Sequence, residues 1–302
     1  MKQFFITATD TDAGKTFVSC ALIKALTQAP TKTNCQVSTQ FVAGDTNVCV
    51  NKPSKVAAFK PVAAGCELVE GQLINEDAKL LSEFANCGQS IIDINPIAFA
   101  EPIAPHIAAK KQNQKINVAD INHHYLAVKS LNADVTLVEG AGGWRLPLGP
   151  SSLAPLSAES MSLNINTAIS TSNNKSNSPN NTLTADGQKP AYQFLSDFVK
   201  AAELEVILIV NMKLGCLNHA LLTYETIKAD GLHCIAWIAN CAASEPMDNL
   251  AENVTELEQL LPMPKIAQFD YFNDVDSQGN EISFDEKINL AARKINLAPL
   301  LK

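Results

Sequence analysis

Short apolar runs alternate along the chain with segments whose apolar residues recur every three to four positions. The apolar runs predict β-strands at 4–8, 55–61, 134–140, 205–211 and 233–240. The segments with a helical period predict helices at 16–28, 74–87, 118–132, 218–231, 247–262 and around 284–295. Continuous apolar strands separated by helices indicate a parallel sheet that is covered on both faces. The pattern therefore predicts an α/β fold with a doubly wound, mainly parallel sheet in a three-layer α/β/α arrangement.

Two polar stretches interrupt this alternation, at about 29–54 and 149–190. The second is rich in Ser, Asn and Thr, and such a composition buries too little apolar surface to offset the entropy lost on ordering. We therefore predict one domain over residues 1–302, with the second stretch as a mobile surface insertion whose apolar beginning forms one short helix. A lid or a partner-binding arm is the alternative for this insertion.

Composition and charge exclude some classes of function. The chain has 302 residues, 46% of them hydrophobic, and a formal net charge of -8. This charge argues against nucleic acid held by bulk electrostatics, although a local cationic pocket for phosphates stays compatible with it. No apolar run approaches the roughly 20 residues of a membrane helix, and the first residues lack a cleavage-site pattern. These features predict a cytoplasmic protein without a nucleic-acid or membrane partner.

The stretch "TATDTDAGKT", residues 7–16, lies between the first predicted strand and the first predicted helix. In this setting, the N–H groups of the loop and the dipole of the helix attract a phosphate. Lys15 supplies a positive charge for the outer phosphates, and the Thr16 hydroxyl can ligate a magnesium ion that bridges them. Thr9 stands where such a loop usually has its first glycine, which is tolerable if that position needs no positive φ.

Two further segments carry groups that suit the same site. Glu139 follows the largely apolar run "VTLV" (135–138), as an acid does that meets magnesium at the carboxyl edge of a sheet, and residues 140–143 contain glycines that allow close backbone approach to a ligand. Asp77 is a candidate third oxygen ligand, and Lys60 ends a strand where it could reach phosphate. The ordinary alternatives are a glycine turn, a solvated helix acid and a lysine whose charge lies at the surface.

In this order, the motifs resemble those of the dethiobiotin synthetases. The matching segments are "TATDTDAGKT" (7–16), "FKPVAAG" (59–65), "NEDA" (75–78), "NPIAFAEPIAPHIAA" (95–109), "VEGAGGWRLPL" (138–148), "NMKLGCLNHALLT" (211–223) and "WIAN" (237–240). They cover most of the chain outside the two polar stretches and the C-terminal part. The E-P-x-x-P-H and K-L-G-C-x-N-H-A blocks are the most specific among them.

The resemblance implies an ATP-dependent ligase that closes the ureido ring of dethiobiotin from 7,8-diaminononanoate and carbon dioxide. One amine takes up carbon dioxide as a carbamate, whose oxygen attacks the γ-phosphoryl group of ATP. The other amine then displaces phosphate from the mixed anhydride. The resemblance also implies Mg²⁺ and a homodimer with active sites at the subunit interface. Fixed positive charge serves these steps better than a covalent nucleophile does.

The resemblance further assigns roles to individual residues. Lys15 and Lys60 are the expected catalytic cations, with Thr11 beside the reacting groups. Magnesium is expected at Thr16, Asp77 and Glu139. Contacts to ATP are expected from Asp12, Ala13, Gly14, Lys15, Thr16, Phe17, Asp77, Glu139, Gly140, Ala141 and Gly142, with Asn240 binding the adenine. The diamine is expected at Ala64, and its carboxylate, from the neighbouring chain, at Leu214, Gly215, Cys216 and Asn218.

Some positions depart from the family pattern and keep two alternatives open. Ala64 stands where a substrate-contacting serine is common, which leaves room for a related ligase on another diamine or carboxylate. Asp12 replaces a glutamate, Ala8 a glycine, and "AQFDYF" (267–272) lacks the proline that borders the adenine. The second alternative is a phosphate-loop switch ATPase of the partitioning type. Such proteins carry a lysine at the position of Asp10, so an acid there opposes this alternative.

Overall fold

The structure is a computed structural model that describes residues 1–29, 53–150, 191–276 and 278–301. Its strands, in chain order, are β1 (Lys2–Ala8), β2 (Val56–Phe59), β3 (Val62–Ala64), β4 (Glu67–Val69), β5 (Gln72–Ile74), β6 (Ile97–Phe99), β7 (Val135–Glu139), β8 (Pro147–Pro150), β9 (Tyr192–Phe194), β10 (Glu205–Asn211), β11 (Cys234–Asn240) and β12 (Lys265–Phe269). Its helices are α1 (Lys15–Gln28), α2 (Glu76–Phe84), α3 (Ile91–Ile94), α4 (Pro105–Lys111), α5 (Val118–Lys129), α6 (Leu195–Ala201), α7 (Cys216–Ala229), α8 (Leu250–Leu260) and α9 (Phe284–Arg293).

A parallel sheet lies at the centre, in the strand order β12-β11-β10-β1-β7-β2. Every neighbouring pair in it is parallel, and Ile6 of β1 pairs with Ile207 on one side and Glu139 on the other. Parallel strands present their carboxyl ends at one edge of a sheet, where ligands of open α/β folds bind. The sheet therefore brings the residues that follow β1, β7, β10 and β11 together at one edge.

Alternating side chains of the strands build a core on each face of the sheet. On one face, Phe4 and Ile6 pack in a cluster with α1, α2 and α9. On the other face, Phe5 packs in a cluster with α5 and α6 and with Ile227 of α7. Because side chains alternate between the faces of a strand, one apolar run supplies both cores. This confirms the predicted three-layer α/β/α architecture.

All strands and helices predicted within the described residues are present, although several ends differ. Helix α5 ends at Lys129, earlier than predicted, because Asn132 adopts a positive φ of 50° in the turn to β7. Helix α7 begins at Cys216, after Gly215 with a φ of 92°. The pattern missed the shorter elements, because three to seven residues are too few for a clear period; these are β3, β4, β5, β6, β8, β9, β12, α3, α4 and α6.

The two predicted polar insertions lie mostly outside the described residues. The predicted start of the second, at 149, was too early, since Gly149 belongs to β8, which pairs with β9. The predicted short helix within it also lies outside the described ranges. None of the helices in the described ranges combines the length and the apolar character needed to cross a bilayer.

Candidate active site

The loop between β1 and α1 turns tightly at Gly14. Gly14 has a φ of 73°, and a Cβ at this position would lie only 2.4 Å from Asn240 Nδ2. Both features require glycine here. Thr9 is not among the residues with positive φ, so the absence of a glycine there causes no strain. Its Oγ1 instead accepts a hydrogen bond from the backbone N–H of Asn211, at 3.1 Å, and links β1 to β10.

A buried charged cluster lies next to this loop. Lys60 Nζ is 2.7 Å from Glu139 Oε1 and 3.0 Å from Asp77 Oδ2. The hydroxyl of Thr16 donates to the same oxygen of Glu139, at 3.1 Å. Lys60 is 3% exposed and Glu139 is fully buried, so their charges interact at low dielectric, where the attraction is strong. A buried charge without a partner would be costly, so each of the two needs the other.

Lys15 adds a second buried ammonium group beside the cluster. Its Nζ donates to the carbonyl oxygens of Asp10 and Thr11, at 3.3 and 3.1 Å. Burial lowers the pKa of Lys15, and this outweighs the opposing charge of Glu139. Burial would also lower the pKa of Lys60, but Glu139 and Asp77 raise it above its usual value. Burial would raise the pKa of Asp77, but the charge of Lys60, hydrogen bonds with Thr16 and Lys60, and the charge of Lys15 together lower it below its usual value.

A cleft of about 770 Å³ opens over these side chains. One part of its wall is polar and carries the two lysines, Thr16 and Asp77. The rest is largely apolar, and its lining there includes Ala63, Ala64, Pro102, Ile103, Ala104 and Leu146. The cleft is therefore suited to a molecule that joins a polyanion to an aliphatic chain, or to two molecules with these properties side by side.

A second cavity, of about 210 Å³, adjoins the cleft and shares Gly14, Phe17 and Ala242 with it. Aromatic side chains dominate its wall, and the rings of Phe17 and Phe272 lie 5.1 Å apart. Asn240 also lines it, and its amide nitrogen donates to the carbonyl oxygen of Ala13, at 2.8 Å. A flat aromatic ligand with polar edges fits such a wall.

The structure gathers most of the predicted site residues around the cleft. The residues that line it are Thr11, Asp12, Gly14, Lys15, Thr16, Phe17, Lys60, Ala64, Asp77, Ala141 and Gly142. Glu139 bounds the cluster through its contact with Lys60, and Asn240 lines the second cavity. Ala13 is fully buried behind the loop, and Gly140 packs against Phe5, so each contributes backbone at most.

The remaining predicted substrate residues lie apart from this lining. Leu214, Gly215, Cys216 and Asn218 form the start of α7, and none of them lines the cleft as the described chain forms it. Leu214 is 94% exposed, whereas Cys216 is buried. The structure does not bring these residues to the charged cluster of their own chain. Their predicted role toward a neighbouring chain stays a prediction.

Sequence analysis missed the aromatic wall of the second cavity. Tyr271, Phe272 and Phe284 contribute to it from the C-terminal part of the chain. The resemblance placed "AQFDYF" (267–272) beside the adenine, but it did not predict that Tyr271 and Phe272 form an aromatic wall together with Phe284. Because the distance along the chain to Phe17 is so large, only the completed sheet shows that these rings meet.

Oxygen atoms suited to a cation are present beside the loop. Glu139 Oε2 is buried and has no hydrogen-bond partner among the described residues, whereas the other carboxylate oxygen contacts Lys60 and Thr16. Within the described ranges, no group of three His, Cys, Asp or Glu side chains could hold a metal by itself. A hard cation such as Mg²⁺ binds through few protein oxygens together with phosphate and water, so this oxygen set fits it.

Comparisons with known proteins show what the chain is similar to. A family model described as an AAA domain matches residues 2–185 and 185–278. The chain is 37% identical to the ATP-dependent dethiobiotin synthetase BioD of Alteromonas mediterranea, over 96% of this chain and 100% of the relative. It is also 37% identical to the protein of that name from Pseudoalteromonas translucida, over 88% of this chain and 89% of the relative. A ParA family ATPase from Chlorobium tepidum aligns with 99% of this chain and 93% of that chain, at 13% identity and a TM-score of 0.45.

Proposed function

The chain belongs to the dethiobiotin synthetase family, and on this premise we propose that it closes the ureido ring of dethiobiotin with ATP. The substrates are 7,8-diaminononanoate and carbon dioxide, as the sequence motifs led us to expect. The observation that carries the proposal is the meeting of Lys15, Lys60, Asp77 and Glu139 beside the phosphate loop. They come from segments far apart in the sequence.

The first chemical step needs positive charge near the γ-phosphoryl group. One amine of the substrate and carbon dioxide give a carbamate and a proton, and a carbamate oxygen attacks phosphorus while ADP leaves. Lys15 and Lys60 are our proposed catalytic cations, because both ammonium groups lie in the cleft wall next to the loop. Such preorganised charge stabilises the negative charge that spreads over the phosphoryl oxygens. The carbonyl oxygens that hold Lys15 Nζ fix its position without neutralising it.

The second step joins the other amine to the carbamoyl carbon. That amine attacks the mixed anhydride, inorganic phosphate leaves, and the ring closes with loss of a proton. The apolar wall, with Ala64 and Ile103, is suited to hold the aliphatic chain of the substrate and to keep water from the anhydride. Thr11 belongs to the phosphate loop and lies in the lining of the same cleft, which supports its role beside the reacting groups.

Mg²⁺ is our proposed metal, held by Thr16, Asp77 and Glu139 together with phosphate oxygens of ATP. When bound, it would neutralise charge on the β- and γ-phosphates. Support comes from the free oxygen of Glu139 and from the hydroxyl of Thr16 close to it. We assign the adenine to the second cavity, where Asn240 offers its amide and Phe17 and Phe272 offer ring faces.

The wider setting of the enzyme is also part of the proposal. We propose a cytoplasmic homodimer in which residues 214–218 serve the site of the neighbouring chain, and one domain that carries two polar insertions. The start of α7 fits an anion such as the substrate carboxylate, because helix N-termini attract negative charge. The partitioning ATPase is not favoured. Such proteins have a lysine in the loop at the position of Asp10, whereas Asp10 is an acid that forms an ion pair with Lys213.

Direct measurement of dethiobiotin tests the proposal. The purified protein is incubated with ATP, Mg²⁺, bicarbonate and 7,8-diaminononanoate, and product is followed by mass spectrometry. We expect dethiobiotin, ADP and phosphate in equal amounts, and none without the diamine. ATP turnover that needs no diamine would contradict the proposal. Faster turnover with a diamine of another chain length would favour the related ligase that Ala64 left open.

A further inference from the structure

The segment that follows β7 has one side in the cleft and the other in the protein body. Ala141, Gly142 and Leu146 line the cleft. Trp144, between them, is 5% exposed and packs edge-on against Phe5, with ring centroids 5.9 Å apart. Residues 141–146 therefore form a strip, which we call the cleft strip, whose catalytic face depends on how its far side is held.

Asp230 holds that far side. Its Oδ2 accepts a hydrogen bond from Trp144 Nε1 at 2.8 Å, and its Oδ1 accepts one from Arg145 Nη2 at 2.9 Å. The side chain of Asp230 is only 9% exposed, so both of its carboxylate oxygens are committed to two consecutive residues of the cleft strip. Charge-assisted hydrogen bonds of this kind are about twice as strong as neutral ones.

The position of Asp230 on α7 makes this arrangement informative. Asp230 directly follows the last residue of α7, where the helix dipole disfavours a negative charge. Arg145 and Lys200, whose Nζ is 3.9 Å from Oδ1, supply the compensating charge. A carboxylate that is unfavourable for the dipole of its own helix indicates a role outside that helix.

The two ends of the cleft strip are fixed by the backbone. The N–H of Gly140 donates to the carbonyl oxygen of Ile6 at 3.0 Å, and the N–H of Leu195 donates to that of Leu146 at 2.9 Å. Its middle passes close to the phosphate loop, since a Cβ on Gly142 would lie 3.9 Å from Thr11 Oγ1. Between its fixed ends, the strip is attached through Trp144 and Arg145.

We propose that Asp230 is a positioning residue for the reaction: it holds Trp144 and Arg145 so that Ala141 and Gly142 keep their distance from Thr11. Asp230 touches no reacting group and acts only through the cleft strip. The inference rests on the proposed function for its kinetic readout. Asp230 lies between α7 and β11, at the amino end of β11, whereas the charged cluster lies at the opposite edge of the sheet.

The isosteric change Asp230→Asn tests this role. Asparagine keeps the shape of the side chain but replaces one carboxylate oxygen by an NH₂ group. That group cannot accept the hydrogen bond from Trp144 or from Arg145. We expect a fall in kcat of roughly tenfold, because small displacements in an active site cost one to two orders of magnitude. The KM for ATP should also rise, by about two- to fivefold, since Ala141 and Gly142 are among the expected ATP contacts. The matched control is Lys228→Gln, an exposed lysine in the last turn of the same helix, which should leave kcat unchanged.

A second variant and a second readout separate the possible outcomes. Trp144→Phe keeps the packing against Phe5 but removes the donor, so adding it to Asp230→Asn should lower kcat by less than twofold further. The chain has two tryptophans, so emission without ligand also reports the environment of Trp144, and Asp230→Asn should shift it.

Unchanged kcat and unchanged emission in Asp230→Asn would overturn the inference. So would a loss of activity that only follows a loss of folded protein, measured by circular dichroism, with kcat per folded molecule unchanged. Absence of dethiobiotin formation by the unsubstituted enzyme is a different result, which contradicts the proposed function. In that case, the emission shift alone would decide whether Asp230 holds the strip.

Discussion

The charged cluster and the aromatic cavity adjoin at Gly14, yet they are built in opposite ways. Lys60 and Glu139 are buried ions, Asp77 is partly exposed, and Lys60 Nζ lies within 3.0 Å of both carboxylates, so the buried charges need their partners. The aromatic cavity uses rings such as Phe17 and Phe272, whose contacts are individually weak and replaceable. We therefore expect a single substitution in the charged cluster to cause a large loss of activity, and a single substitution in the aromatic cavity to cause a small one.

The change with the largest expected effect is Lys15→Ala. It removes a buried ammonium group beside the transferring phosphoryl group, and we expect kcat to fall by about 10²–10³-fold. Lys24→Ala on the same helix is the matched control, since Lys24 lies outside the cleft and should leave kcat unchanged. Dethiobiotin formation is measured for both. Near-normal turnover of Lys15→Ala would remove this residue from the mechanism.

Lys60→Met sharpens the contrast between the two regions, because it affects activity and stability together. It leaves Glu139 buried without its cation, so we expect about 3 kcal/mol of destabilisation and a fall in kcat of roughly 10²-fold. Urea unfolding measures the first and product formation the second. The double variant Lys60→Met/Glu139→Gln should recover stability but not activity. If it is no more stable than Lys60→Met, the ion pair does not have the importance assigned to it.

Gly14→Ala affects both regions at their junction. The new methyl group would meet Asn240 Nδ2 at 2.4 Å and would also strain a backbone with a φ of 73°. We expect about 1–3 kcal/mol of destabilisation and weaker ATP binding, measured by thermal unfolding and calorimetry. Adding Asn240→Ala makes room for the methyl group, so it should return part of the stability. No return at all would mean that the steric contact is not the cause.

Phe272→Ala probes the aromatic cavity alone. Because one of several rings is lost, we expect the KM for ATP to rise about fivefold while kcat stays within twofold. Phe84→Ala is the control, since Phe84 packs against Phe284 without lining the cavity. A large fall in kcat for Phe272→Ala would break the comparison, because the cavity would then act on the chemistry.

The smallest effect concerns acid pH. The pKa of Asp77 in the folded protein is below its usual value of 3.8, so ionised Asp77 stabilises the fold above that pH and the contribution is lost as pH falls through the lowered pKa. Asp77 is partly exposed, so we expect less than about 1 kcal/mol. The difference in unfolding free energy between wild type and Asp77→Asn, without divalent ions, should shrink below pH 3.8. A difference independent of pH would contradict this.

The sequence predicted the fold and the charged cluster because both leave local marks. Continuous apolar strands mark the parallel sheet, and Lys15, Lys60 and Glu139 each follow or end a strand, so the sheet edge collects them. The aromatic wall and the contact of Asp230 with Trp144 leave no such marks. They depend on how helices and late strands pack over the sheet, which no single segment specifies. The sequence patterns therefore predicted the charged residues of the site, but not the contacts that form its aromatic wall and hold Trp144.

The hydrogen bond from Asn240 to the carbonyl oxygen of Ala13 joins residues 227 positions apart. The phosphate loop precedes its partners after β7, β10 and β11 along the chain, so it leaves the ribosome well before them. Contacts of such long range form late in folding, because closing large loops is entropically slow. The nascent chain should therefore gain affinity for nucleotide only once β11 has paired with β10, and the nucleotide should then slow unfolding by linking distant segments.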